Sequence, residues 1–180
     1  MKVARLGALI AALVIAALVA VLVVSDGDEG VGARSPLLGQ PAPAVRTTTI
    51  DDQPFDLARR KGSWIVLNFF NSTCVPCLAE HPALVAFAQA EGARVEPAEL
   101  YTVVNDDDDD AVRTFFTENG GDWPKLRDGD GAIAVAFGVA KVPETWIIDP
   151  NGFVRLRIIG QLPSGALDAQ LARLREASGS

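Results

Sequence analysis

An α/β fold with a mixed central sheet is what this sequence predicts, and three observations carry the prediction. The apolar run Trp64-Ile65-Val66-Leu67, continuing to Phe70, reads as a buried strand. Apolar residues then recur at helical spacing (Leu78, Leu84, Val85, Phe87, Ala88) before a second strand candidate at residues 100–104, so that strand, helix and strand make a parallel βαβ unit. Further on, strand-like residues 145–149 and 153–159 flank Pro150-Asn151-Gly152, whose Asn-Gly marks a hairpin and therefore an antiparallel pair.

The other elements follow in chain order. Residues 6–24 are a run of 19 without charge or proline. As a helix they would span about 28 Å, close to the roughly 30 Å hydrocarbon core of a bilayer. Lys2 and Arg5 precede the run, and Asp26, Asp28 and Glu29 follow it. The positive-inside rule then keeps the N-terminus in the cytoplasm and exports everything after Val24. A cleaved signal peptide is the alternative, but its apolar region is normally shorter and ends at small residues. Val23-Val24-Ser25-Asp26 makes a poor cleavage site. The expected organisation is thus a signal-anchor transmembrane helix over 1–24, a flexible tether over 25–36 rich in Gly, Asp, Glu and Ser, and one domain over 37–180.

Within that domain, residues 45–50 are strand-like and Asp51-Asp52-Gln53-Pro54 makes a turn, with Leu57 and Lys61-Gly62 leading into the central strand. The acidic run 106–110 reads as a solvated loop and helix N-terminus, where carboxylates suit the dipole. A calcium site there lacks the EF-hand pattern, as does Asp128-Gly129-Asp130-Gly131, which reads as a turn. Residues 132–137 predict a short helix ended near Gly138. Leu162-Pro163-Ser164 opens a last helix with Leu167, Leu171 and Leu174 on one face.

Composition narrows the function. The 180 residues are 49% hydrophobic, ample for one core. With Lys2 and Arg5 set aside, 14 basic side chains face 23 acidic ones, a formal charge of −9 on the exported part. That argues against nucleic acid or anionic lipid as a partner.

Both cysteines, Cys74 and Cys77, sit in a Cys-x-x-Cys where the central strand ends and a helix begins. Unpaired N–H groups and the positive dipole end of that helix favour a thiolate, the reactive form. Cys74 is expected at the mouth as nucleophile, with Cys77 one turn inside to resolve a mixed disulfide. Pro76 fits the first helical turn because it lacks an N–H. A purely structural disulfide closing so short a loop would stabilise little. A zinc site would need four ligands where the chain has two Cys and one His. No metal and no cofactor beyond the cysteine pair is expected.

With Val66-Leu67-Asn68-Phe69-Phe70 leading into Cys74-Val75-Pro76-Cys77, then Glu80-His81-Pro82, and Val142-Pro143-Glu144-Thr145-Trp146 downstream, the chain resembles the thioredoxin-fold proteins. More narrowly, it is similar to the membrane-anchored TlpA/ResA/DsbE (CcmG) group over residues 37–174. The resemblance implies a thioredoxin-like three-layer sandwich and a disulfide reductase working outside the cytoplasmic membrane. It further implies re-reduction by a membrane-embedded donor of the CcdA/DsbD kind, and apocytochrome c as substrate. Asn68 stands where classical thioredoxins carry a buried Asp. Glu80 matches a family Glu that exchanges protons with the thiols; the bland alternative is a first-turn helix acid. Pro143 matches a cis proline beside the cysteines, leaving the Val142 backbone free to pair with substrate, and Glu144 resembles the cytochrome-maturation members. Thr73 replaces a usual Trp and, with Pro76, is expected to meet the substrate. His81 is expected to face the surface.

Other readings stay open on residues alone: an oxidant or isomerase of exported proteins, a copper-delivery protein, or a non-catalytic binding module. A peroxidase fits less well, because no Pro-x-x-x-Thr-x-x-Cys surrounds Cys74.

Overall fold

The computed structural model describes residues 13–17 and 30–179. Residues 13–17 are helical and exposed, and among the described residues no helix is long and apolar enough to cross a membrane. The rest of the expected anchor lies outside the described residues.

From Gly30 the elements run β1 (Gly30–Val31), β2 (Arg46–Thr48), β3 (Pro54–Asp56), a 3-10 turn (Leu57–Arg60) and β4 (Ile65–Phe70). Then come α1 (Val75–Gly92), β5 (Glu99–Asn105), α2 (Asp109–Asn119) and β6 (Lys125–Asp128). The chain closes with α3 (Ala132–Phe137), β7 (Glu144–Ile148), β8 (Val154–Ile159) and α4 (Ala166–Ser178). One mixed sheet has the order β1-β8-β7-β4-β5-β6, and β2 and β3 form a separate hairpin. β4 runs parallel to β5 and antiparallel to β7, so the βαβ unit and the Asn-Gly hairpin predicted from sequence meet on one central strand.

All of β4 is buried because both sheet faces are covered. Val66 and Phe70 pack with Cys77, Leu84 and Phe87 of α1, Val112 and Phe116 of α2, and Leu167 and Leu171 of α4. On the other face, Ile65, Leu67 and Phe69 pack with Phe137 of α3, Trp146, and Val45, Phe55 and Leu57. This is the three-layer sandwich of the thioredoxin-like fold. Truncating a fully enclosed side chain such as Leu67 to Ala costs about 2–5 kcal/mol.

One sequence expectation needs correction, and one strand goes unforeseen. The stretch expected as a tether, 25–36, joins the sheet from Gly30: β1 pairs with β8, the Gly32 and Ala33 amides donate to the Arg157 carbonyl, and Ala33 is buried. Glycine-rich, charged composition hid it, because this edge is held by backbone bonds and little apolar surface. The sequence also gives no sign of β6. Of Lys125-Leu126-Arg127-Asp128 only Leu126 is apolar, yet Arg127 is fixed by Asp52 and Asp109, and the Lys125 ammonium sits 4.3 Å from the centre of the Phe116 ring.

Across the sheet Phe69 faces Glu144, Glu144 faces Ile159, and Ile159 faces Gly30. This row marks the end of the sheet that carries the cysteines.

Candidate active site

Cys74 is the N-cap of α1 and leaves β4 through the loop 71–73. Its amide donates to the Asn71 carbonyl at 3.1 Å, and its sulfur accepts from the Cys77 amide at 3.2 Å. Cys74 and Cys77 are joined as a disulfide with their Cα atoms 5.2 Å apart. Cys77 is fully buried; Cys74 is partly exposed beside the exposed Val75 and Pro76. The sulfur a partner can reach therefore belongs to Cys74, at the helix end where a thiolate is stabilised.

Glu80 lies three residues beyond Cys77, a spacing that puts two side chains on the same helical face. It is 1% exposed, and its partners among the described residues are neutral. The Asn68 side-chain amide donates to Oε1 at 2.7 Å, and the Leu162 backbone N–H to Oε2 at 2.8 Å. Burial pushes its pKa up to about 7, against the lowering effect of those two hydrogen bonds. Asn68 also donates to Thr145 at 3.1 Å, while its own Oδ1 is buried without a partner among the described residues. A carboxyl that changes charge near neutrality thus sits one helical turn from the buried thiol position.

The Val142–Pro143 bond is cis, and it ends where β7 begins. Because Glu144 is opposite Phe69, Pro143 lies at the same end of the sheet as the loop that carries Cys74. Glu144, expected to meet the substrate, is held otherwise. Strand alternation turns it to the sheet face opposite Asn68 and Thr145. There it is 1% exposed and gripped by Arg157 at 2.8 and 3.1 Å. Arg157 also donates to the Gly138 carbonyl and covers the Trp146 ring. The Glu144–Arg157 pair ties the start of β7 to β8.

His81 is not on the surface. It is 3% exposed, donates from Nε2 to the Gly120 carbonyl at 3.0 Å, and is enclosed by Phe115, Phe116 and Trp123. Burial lowers its pKa. It is therefore no ready ligand for a metal held by the cysteines. The sequence expectation failed because the aromatic lid comes from α2 and the loop after it, 34 or more residues away.

The acidic run has a role that its composition concealed. Asp107 accepts from the Ser72 amide at 2.5 Å and the Ser72 hydroxyl at 3.0 Å. Asn71 donates to the carbonyls of Asn105 and Asp106, and its Oδ1 accepts from the Thr73 amide and hydroxyl. Thr73 thus remains exposed but tied into the loop before Cys74. Asp108 caps α2 as the dipole argument requires.

Against known proteins, the AhpC/TSA family matches residues 38–157. The chain is 33% identical over 138 residues to the thiol:disulfide interchange protein HelX of Rhodobacter capsulatus, covering 75% of each. It is 33% identical over 153 residues to the thiol:disulfide interchange protein DsbE of Yersinia pestis, covering 83% of this chain and 79% of that one. In fold it matches a putative thiol:disulfide interchange protein DsbE from Chlorobium tepidum with a TM-score of 0.68 at 24% identity, over 76% and 96% of the two chains.

Proposed function

We propose, for a chain that belongs to the AhpC/TSA family and to the DsbE-type thiol:disulfide interchange proteins, a role as a membrane-tethered reductant of disulfides in exported proteins. That it is a thiol-disulfide oxidoreductase follows from the family and the Cys74–Cys77 pair; direction, substrate and tethering are the proposal. The anchor is the apolar run 6–24, which leaves the catalytic domain outside the cytoplasmic membrane.

In the reduced protein the Cys74 thiolate attacks one sulfur of a substrate disulfide, forming a mixed disulfide and releasing the other sulfur as a thiolate. The Cys77 thiol passes its proton to the Glu80 carboxylate and attacks Cys74 Sγ. This releases the second substrate thiolate and closes the Cys74–Cys77 disulfide. Two electrons have moved to the substrate, and a dithiol donor in the membrane, of the CcdA/DsbD kind, returns them. Val142, beside the cis Pro143 and outside the sheet ladder, offers its backbone to an extended substrate segment, and Thr73 and Pro76 form the exposed rim.

Glu80 carries the reading: a buried carboxyl with neutral partners and a pKa of about 7 suits a resolving thiol that must lose its proton. The proposed substrate is the Cys-x-x-Cys-His of apocytochrome c, as the sequence resemblance to the cytochrome-maturation members implies. In cells relying on the Cys74→Ser chain, cytochrome c carrying covalent haem should be lost and restored by added small-molecule dithiol. Undiminished assembly would overturn the substrate assignment.

A further inference from the structure

The direction in which the chain enters the sheet says which end of the domain is nearest the anchor. β1 runs antiparallel to β8, with Gly30 opposite Ile159 and Val31 opposite Ile158. The chain then follows β8 along its length. Gly32 and Ala33 donate to the Arg157 carbonyl, Arg157 donates to the Arg34 carbonyl, Gly39 donates to the Val154 carbonyl, and Pro41 bridges Phe153. β8 is antiparallel to β7, as β4 is, so β8 and β4 point the same way. Gly30 therefore enters at the end of the sheet that carries Cys74 and Pro143, and residue 41 lies at the far end.

The row Gly30, Ile159, Glu144, Phe69 fixes the lateral distance. Three strand spacings of about 4.8 Å put Gly30 roughly 14 Å from Phe69, the strand position that leads into the cysteine loop. Between Val24 and Gly30 stand five residues. Fully extended they reach about 18 Å.

We infer that the domain is held with its redox end toward the bilayer, so that Cys74 exchanges with dithiols at the membrane surface ahead of those in bulk solution. The inference rests on the anchor reading above. Adhesion does not produce this orientation. Asp106, Asp107 and Asp108 follow the end of β5 that is parallel to the end of β4, so the redox end is acidic and is repelled by anionic lipid. A short covalent tether that enters at this end supplies the proximity, and through it a high effective concentration toward a donor in the same membrane. In that exchange a donor thiolate attacks Cys74 Sγ and displaces the Cys77 thiolate, which takes a proton. The second donor thiolate then closes the donor disulfide and frees Cys74, so two electrons pass from donor to protein.

The test is energy transfer from a fluorophore to headgroup-labelled acceptor lipid, with the full chain in phosphatidylcholine vesicles. One sample carries the label on Cys74 in a Cys77→Ala chain. The other carries it on a Val95→Cys chain lacking both native cysteines. Val95 is fully exposed between the end of α1 and the start of β5, at the opposite end of the sheet. Six-residue strands separate the two ends by about 20 Å, and transfer at least about twofold stronger from Cys74 is expected. Equal transfer, or stronger transfer from position 95, in protein that floats with the vesicles overturns the orientation and leaves the anchor reading standing. Protein that fails to float overturns both.

Discussion

Helix α1 carries two buried glutamates, Glu80 near its cysteine end and Glu91 near its far end, and burial has opposite consequences for them. Each is almost inaccessible, at 1% and 3% exposure. At Glu91 the burial that would raise the pKa is overcome: the Arg175 fork binds both oxygens at 2.9 and 2.7 Å, the Ala98 amide adds a third bond, and Arg94 lies at 2.9 Å, so the pKa is lowered. Glu80 has an amide side chain and a backbone N–H but, among the described residues, no cation, and burial wins. A buried carboxylate paired with arginine keeps its charge and ties elements together. One surrounded by neutral donors stays free to take and give a proton. Glu144, locked to Arg157, likewise ties one strand to its neighbour.

The largest effect is expected where the paired end is broken. Arg175→Met strands the Glu91 charge in the interior and should cost about 3–5 kcal/mol in urea unfolding, with Glu91→Gln in the same chain restoring part of it. An unchanged midpoint would show that Arg94 alone suffices.

Next comes the pH dependence at the neutral end. The Glu80 pKa is raised on folding, from 4.5 to about 7, so the folded state holds a proton that the unfolded state releases. Its stabilising effect is complete below pH 4.5 and is lost as pH rises through 7, about 3 kcal/mol in all. The oxidised protein should lose that much relative to a Glu80→Gln chain over this window; parallel pH curves for the two would contradict it.

In catalysis Glu80→Gln should slow disulfide reduction roughly 100-fold at pH 8 and remove the inflection near pH 7, while binding of substrate is little changed. A rate profile that keeps its inflection would place the titrating group elsewhere. Smallest is Arg157→Lys, which replaces a two-pronged contact to Glu144 with a point charge and should cost on the order of 1 kcal/mol in thermal unfolding. Its exchange rate should fall less than that of Glu80→Gln.

How much of this was legible beforehand follows the range of the forces involved. β4, α1 and the β7–β8 hairpin could be read because apolar periodicity and Asn-Gly are local signals. The placement of the cysteine pair and of Glu80 was legible for the same reason, each a fixed number of residues into one helix. What escaped is held by partners far along the chain. His81 looked exposed because its aromatic enclosure comes from Phe115, Phe116 and Trp123. Asp107 looked like one solvated carboxylate among five, although it clamps Ser72 from 35 residues away. Glu144 looked like a substrate contact, since nothing near it in sequence foretells Arg157. The edge strand β1 and the charged β6 are held by backbone pairing and ion pairs, which leave little imprint on hydrophobic pattern.

If Glu80 is the proton partner of the buried thiol, its own titration shows it. Carbon-13 NMR of glutamate side-chain carboxyls in the oxidised protein can follow Glu80 and Glu91 together, assigned with the Glu80→Gln and Glu91→Gln chains. A Glu80 midpoint near 7 is expected, with Glu91 titrating below the ordinary 4.5 of a glutamate. A Glu80 midpoint at or below 4.5 would contradict it, leaving Cys77 to lose its proton to some other base.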